Sequence, residues 1–409
     1  MPRTATRASA VSAAAVPAAF VVANAVSYAL LLVAAHLLDA SDYGKLSSLL
    51  GLLLISAIPM LALQTVAARR AATHRASTGI VRGTAATGIL ATLVLAASSP
   101  ALAVFLHLPN VYGILLVAAT VPATSVLGTA MGVAQGRRRF RWLAVLMLAG
   151  TGGRSVGGLV GLLVGRSPQS TLVGILIGTA TPAILVAAAG SGFAAHRVSV
   201  RDRTRAGVLI EAMHAAHAHG TFLLLTSLDV LLARHVLSSA DAGLYAVGSV
   251  VTRVAVWLPQ SAVILMFASL AESENHRSTA RRASAAVVGL GAVLVAGTAA
   301  LGTLVVRLVG GSKYQALDHH IWLFALLGSL LAVLQLAVLA GLAQRKARRA
   351  ALLWVTIAAD VVLVLATGDQ STPIRLVLTL VSVTGAAALV ALWLTLRQVV
   401  APDGHGPGA

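Results

Sequence analysis

There is no cysteine anywhere in the 409 residues, so neither a disulfide framework nor a thiolate metal site is open to this chain. Charge is scarce too: Asp, Glu, Lys and Arg make up 10% of the sequence, against about 25% in a soluble domain. No GxxxxGK[ST] stretch is present, which removes a phosphate-cradling loop and leaves an intrinsic ATPase motor unsupported. An HExxH motif is also absent. Apolar residues, by contrast, are 58% of the chain, and the mean hydropathy is +0.90. Such a sequence cannot present enough polar surface to stay in water. It reads as an all-α integral membrane protein.

Apolar stretches near the roughly 20 residues needed to cross a bilayer recur along the chain. They predict twelve transmembrane helices near 12–38, 46–68, 84–106, 113–135, 142–164, 170–194, 208–235, 243–270, 284–309, 319–343, 350–367 and 374–396. Arg3 and Arg7 precede a first stretch long enough to span, so that helix is expected to remain as an anchor. Lys and Arg concentrate in short cytoplasmic loops. With a cytoplasmic N-terminus, 22 of the 30 basic residues fall on the inner side and 6 on the outer, leaving Arg154 and Arg253 within spans. The alternation holds at every loop, so both termini are expected to be cytoplasmic. The net charge of +18 is then an orientation signal and not a nucleic-acid footprint. Low Lys, high Arg and abundant Ala point to a bacterial source and hence a bacterial plasma membrane.

One polar phrase is written twice. AAHLLDASDYGKLSS (34–48) returns 199 positions later as ARHVLSSADAGLYAV (233–247), aligning His36 with His235, Leu38 with Leu237, Asp42 with Asp241 and Gly44 with Gly243. GVAQ (132–135) and GLAQ (341–344) likewise each run into an arginine cluster, RRRFR and RKARR, and Pro59 and Pro259 sit at similar depths. Two six-helix pseudo-repeats follow: a first bundle over 1–196, a linker over 197–207, a second bundle over 208–397 and a tail over 398–409. Parallel repeats of this kind are common in transporters. The repeated phrase itself is expected to build the outer elbows. Aspartate at a helix start accepts backbone N–H bonds, and glycine tolerates a close turn.

HLLDASDYGKLSS and LDVLLARHVLSSADAGLYAVGSVVTR resemble the turns after helices 1 and 7 of the polysaccharide flippases in the multidrug/oligosaccharidyl-lipid/polysaccharide exporter superfamily. GVAQGRRRFRWLAVLMLAGTGGRS is similar to their helix 4–5 junction. The first turn departs from the pattern, with Lys45 and Leu46 in place of the tyrosine that the second copy keeps as Tyr245. The resemblance implies a V-shaped pair of six-helix bundles around a central cavity. It implies movement of a polyprenyl-diphosphate-linked oligosaccharide from inner to outer leaflet. The implied partners are that cargo, membrane lipids, and a polysaccharide polymerase or glycosyltransferases of the same pathway, with no nucleic acid.

A diphosphate cannot be buried unpaired in hydrocarbon, so a flippase needs cationic partners for it and hydrogen-bonding groups for the sugar. Charges inside the spans are few and are functional candidates by default: Arg154, Asp229, Arg253 and Asp360. Arg154, in TGGRSVGG, lies about 18 Å into its helix, with glycines that leave room for backbone or ligand. Arg154 and Arg253, with Asn24, Tyr28, Gln64 and Gln260, form the substrate-binding set. Asp229 and Arg253 flank the second elbow, where a locking or a gating ion pair would serve. Asp229 and Asp360, with Glu211, His214 and His217 of EAMHAAHAHG, form the coupling or gating set. No cofactor is implied beyond coupling to H+ or Na+. The three-residue spacing of Glu211, His214 and His217 drifts round the helix, which favours a polar mouth over a metal site.

Two other readings compete with this one. An ion-coupled multidrug or metabolite antiporter of the same superfamily would use acids for cationic cargo, and Asp229 and Asp360 keep it open. A membrane glycosyl polymerase or ligase would need a sizeable outer loop or a constellation of acids, and the outer connections here are short. The chain therefore reads as a transporter and not an enzyme.

Overall fold

The computed structural model describes residues 3–73, 78–189, 205–270, 276–343, 348–367 and 372–400, which are helical with short connections and contain no strand. In a bilayer there is no water to satisfy exposed N–H and C=O groups, and a helix satisfies them within its own segment. The helices are α1 (Arg3–Leu37), α2 (Ala40–Ile55), α3 (Ile58–Ala72), α4 (Thr78–Ala97), α5 (Ser99–Phe105), α6 (Tyr112–Gly136) and α7 (Phe140–Met147). A π-helical segment, Leu148–Gly152, joins α7 to α8 (Gly153–Gly165), followed by α9 (Pro168–Ala188), α10 (Arg205–Val236) and α11 (Ser239–Leu270). Then come α12 (His276–Ala300), α13 (Gly302–Val309), a 3-10 turn at Ser312–Leu317, α14 (Ile321–Ala343), α15 (Arg348–Ala366) and α16 (Pro373–Val400). Among the described residues, each expected span overlaps one helix or a helix broken along its length, and the end of the 170–194 span lies outside the described residues. By length and apolarity, six of the described segments qualify as crossings, and two bent pairs raise this to eight.

The breaks have local causes. α2 gives way to α3 around Ser56 and Ala57 because Pro59, in the first turn of α3, brings no N–H to a continuing helix. Its counterpart Pro259 is accommodated, and α11 runs unbroken. The third expected span of each half is bent: α4 to α5 by 50° and α12 to α13 by 91°. Each short second piece is followed by a left-handed residue, His107 (φ 48°) after α5 and Gly311 (φ 83°) after α13. The Leu108 N–H reaches back to the Ala103 carbonyl at 2.9 Å and closes α5 in the Schellman manner.

Contacts divide the chain into two compact units, Met1–Val250 with Arg307–Tyr314, and Val251–Val306 with Gln315–Ala409. Within the first, α10 packs along α2 and α3, so this division falls later in the chain than the 197–207 linker read from the repeats.

Inside lipid, helices gain nothing from hiding apolar surface from one another, and association rests on close packing of small residues. The first unit does this twice. On α6, a Cβ added at Gly128, Gly132 or Gly136 would lie 2.5, 2.2 or 2.3 Å from the carbonyl oxygens of Met60, Gln64 and Ala68 on α3. On α8, one added at Gly157 or Gly161 would lie 2.2 or 2.1 Å from the carbonyl oxygens of Gly174 and Ser170 on α9. Larger side chains then fill the remaining space, with Leu127, Met131, Leu143, Leu146 and Ala183 joining α6, α7 and α9. In the second unit, the Thr252 hydroxyl donates to the Phe324 carbonyl at 3.0 Å, and Gly328 seats α14 against the Thr252 carbonyl.

Candidate functional site

The two copies of the polar phrase start α2 and α11. Asp39 caps α2, its carboxylate accepting the Asp42 N–H at 2.7 Å. Ser238, 199 positions later, caps α11: its Oγ accepts the Asp241 N–H at 3.2 Å and its hydroxyl donates to Asp241 Oδ2 at 2.6 Å. The capping expected of Asp42 and Asp241 therefore belongs to the residues three earlier. The two aspartates sit in the first turn, where the helix dipole still favours them. Gly44 and Gly243 have a different task from turning the chain. A Cβ on Gly44 would lie 3.0 Å from the Gly243 nitrogen, and one on Gly243 would lie 1.9 Å from the Ala40 carbonyl oxygen. The repeated phrase thus packs against itself, helix start on helix start.

Two cations staple these elbows. Arg234 is buried and spends its fork on backbone: Nε donates to the Leu106 carbonyl at 2.9 Å, Nη2 to the His107 carbonyl at 3.0 Å, and Nη1 to Ser239 Oγ at 3.1 Å. Beside it, His235 stacks on Phe105 with ring centroids 4.2 Å apart, and its Nδ1 lies 2.8 Å from the Phe105 carbonyl. At the first elbow, Lys313 Nζ donates to the carbonyls of His36 and Leu38. Burial lowers the Lys313 pKa, and the Asp39 charge opposes this. Tyr314 packs edge-on against wholly buried Tyr43, and burial followed by the Asp39 charge pushes its phenol up to about 12. Tyr43 supplies to the first copy an aromatic that position 46 lacks. Sequence reading counted Arg234 only as an outer-side charge, because its partners appear only once the left-handed turn at His107 is built.

Arg154 opens α8 directly after the π-helical segment. The crossing Phe140–Gly165 places it about 21 Å from one end and about 16 Å from the other. Arg154 is half-buried, and among the described residues it makes no hydrogen bond or ion pair. The next residue, Ser155, has its Oγ 2.7 Å from Ser27 Oγ on α1. Asn24, Ser27 and Tyr28 share one face of that helix. The structure therefore brings Asn24, Tyr28 and Arg154 to one helix crossing at mid-span. Asn24 Nδ2 donates to the Phe20 carbonyl at 2.8 Å, leaving its Oδ1 for another donor. The glycines around Arg154 mostly admit backbone: Gly153 and Gly157 face α9, and at Gly152 a Cβ would meet nothing within 4 Å.

The remaining candidates lie elsewhere. Gln64 is paired with Gln135 at 3.3 Å near the end of α6, away from that crossing. Asp229 is buried on α10 in the first unit. In the second unit, Asp360 is buried on α15, and half-buried Arg253 has Nε and Nη2 with no hydrogen-bond partner among the described residues. His217 is exposed on α10, while the side chains of Glu211, His214 and Gln260 lie outside the described residues. Among the described residues no three His, Asp or Glu side chains converge to hold a metal ion.

Three solved structures share this architecture at low identity. A lipid II flippase, MurJ, in an inward closed conformation superposes with a TM-score of 0.71 at 11% identity, covering 93% of this chain and 89% of that one. An inward-facing multidrug resistance MATE family transporter of the MOP superfamily gives 0.67 at 12% identity over 92% and 94% of the two chains. An outward-facing one gives 0.63 at 11% over 95% of each. At such identity the likeness shows the fold, which is that of the MOP superfamily transporters. No curated protein matches the sequence. A family described as "Polysaccharide biosynthesis protein" matches residues 16–318. With most of its length matched, this multi-pass membrane chain belongs to the polysaccharide biosynthesis protein family.

Proposed function

We propose that the protein is a flippase that carries a polyprenyl-diphosphate-linked oligosaccharide from the inner to the outer leaflet, for polysaccharide made at the cell surface. The observation that carries this reading is Arg154, a cation at mid-span whose donors are spent on no described residue. An unpaired charge at that depth is costly and is retained where it meets an anion or a hydrated path. A guanidinium fork fits phosphate oxygens in a bidentate geometry. Asn24 and Tyr28, at the same α1–α8 crossing, offer hydrogen bonds to the sugar, and Arg253 supplies a second cation in the other unit. Alternating access of the two six-helix halves would move the cargo without covalent chemistry, with both termini cytoplasmic in a bacterial plasma membrane. Coupling to H+ or Na+ would run through Asp229 and Asp360, with Glu211, His214 and His217 at the inner mouth. A polymerase or glycosyltransferase of the same pathway would take up the product.

The test is transfer of a fluorescent undecaprenyl-diphosphate oligosaccharide between leaflets of proteoliposomes. Arg154→Ala is expected to lose at least about tenfold in rate, as loss of a buried charge-assisted bond implies. Arg154→Lys is expected to keep part of the rate. A parent that moves no lipid-linked sugar under imposed proton, sodium and voltage gradients would remove the flippase reading. The two buried acids, Asp229 and Asp360, favour one second reading, an ion-coupled antiporter. It would be supported if the same vesicles moved a small organic cation against a proton or sodium gradient.

A further inference from the structure

The turn between α6 and α7 carries Arg137, Arg138, Arg139 and Arg141 within five positions, on the side expected to be cytoplasmic. Its shape is fixed by the backbone. Arg138 takes a left-handed φ of 54°, and the N–H groups of Arg138 and Arg139 donate to the Gln135 and Ala134 carbonyls at 3.0 and 2.8 Å. α7 then starts at Phe140 with no intervening loop. Arg138, Arg139 and Arg141 are exposed, and among the described residues none of the three side chains has an acidic or hydrogen-bonding partner.

Trp142 follows at once, 52% exposed, and Val145 and Leu148 continue its face of the helix as further exposed apolar residues. Tryptophan at the end of a crossing marks the headgroup level. This stripe leads into a groove of about 830 Å³ between α8 and α9. The groove runs from Ala149 and Leu185 at the arginine end to Val164 and Ser170 at the other, and its lining is apolar apart from Ser170 and Thr181. Along the helix, Arg141 lies about 12 Å before Ala149, and the groove extends about 22 Å beyond. One leaflet of hydrocarbon is roughly 15 Å deep, half of a ~30 Å core. An acyl chain reaching the midplane would therefore run along the exposed face of Trp142, Val145 and Leu148 and enter the groove at its Ala149 and Leu185 end, while its headgroup stayed level with the arginines.

We propose that this face binds an anionic phospholipid of the inner leaflet. Its phosphate sits among Arg138, Arg139 and Arg141, its glycerol lies beside Trp142, and one acyl chain lies in the α8–α9 groove. Charge selects the headgroup and shape seats the tail. The bound lipid is then a structural ligand of the helix that carries Arg154, and its binding can be measured without any transport.

The full-length protein would be titrated in detergent with palmitoyl-oleoyl phosphatidylglycerol or the matching phosphatidylcholine, and retained lipid counted by native mass spectrometry. The parent is expected to prefer phosphatidylglycerol by at least about tenfold. Each arginine near an anionic headgroup contributes about fivefold. The triple variant Arg138→Gln, Arg139→Gln, Arg141→Gln should therefore lose on the order of a hundredfold at low salt, and Arg139→Gln alone about fivefold. Leu185→Trp fills the arginine end of the groove from an exposed position and should lower retention of both lipids. Thermal unfolding would verify that each variant is folded. No headgroup preference in the parent, an unchanged preference in folded arginine variants, or full retention by Leu185→Trp would each overturn the proposal. Displacement of phosphatidylglycerol by equimolar undecaprenyl phosphate would also overturn it, reassigning the face to cargo.

Discussion

Gly243→Ala tests whether the repeated phrase is an elbow held by backbone contact. The new methyl group would stand 1.9 Å from the Ala40 carbonyl oxygen, where ordinary contact begins at 3.4 Å, so the two helix starts must part by about 1.5 Å. Backbone cannot swing away as a flexible side chain can, and overpacking of this kind costs about 1–3 kcal/mol. Alanine is about 1 kcal/mol better than glycine within a helix, which offsets part of that cost. The balance is a net destabilisation of up to about 2 kcal/mol, or a fall of roughly 4–8 °C at the scale of a 150–250-residue domain. Gly297→Ala in α12 is the matched control, since a Cβ there would meet nothing within 4 Å and only the helical gain remains. Thermal unfolding of the purified protein in detergent, followed by intrinsic fluorescence, reads both variants. A Gly243→Ala midpoint equal to or above that of Gly297→Ala would refute the packing argument.

Arg234→Met should destabilise by at least about 2 kcal/mol, because the Leu106 and His107 carbonyls lose their donor. Arg234→Lys should not restore the loss, since one ammonium cannot reproduce the fork; denaturation midpoints of the three proteins decide this. Tyr314 has a folded pKa near 12 against an ordinary value of 10. The folded chain therefore keeps that proton where the unfolded chain loses it. The associated stability is complete below pH 10 and is lost as pH rises through 12. In tyrosinate absorbance at 295 nm, Tyr314→Phe should remove one late-titrating component. For the α1–α8 crossing, a double-mutant cycle of Ser27→Ala and Ser155→Ala should give a coupling of roughly 0.6 kcal/mol, and additive single losses would show that the 2.7 Å contact contributes nothing.

The helical segments were legible because the hydropathy of a membrane helix is set by the bilayer, not by packing. The same reasoning failed to see where helices break. Pro59 starts a new helix and Pro259 lies within an unbroken one, although both look alike in sequence. The repeat located the elbows but misplaced their caps by three residues. Asp39 and Ser238 do not match each other in type, so the alignment gave them no weight. Gly44 and Gly243 read as turn residues, while Ala40, which Gly243 packs against, carries no signal at all. The glycine ladders at 128, 132 and 136 and at 153, 157, 161 and 165 were there to be read as four-residue spacing. Near Arg154 they were taken as room for backbone or ligand, and α9 takes most of that room.

That last point bears on how Arg154 is held. Its guanidinium is anchored by no described side chain, so its position must come from the helix that bears it. On one side α8 is locked to α9 through glycine backbones, a contact with no rotamer freedom. On another, Ser155 is tied to Ser27 of α1, itself bonded to the Ala23 carbonyl. Just before Arg154 the helix widens into the π-helical segment Leu148–Gly152, a geometry that recurs at functional sites because it reorients the residues that follow. A structural arginine would be expected to spend its donors on its surroundings, as Arg234 does on two carbonyls and a hydroxyl. Arg154 has a rigid support and unspent donors, and that combination is what a transient anion requires.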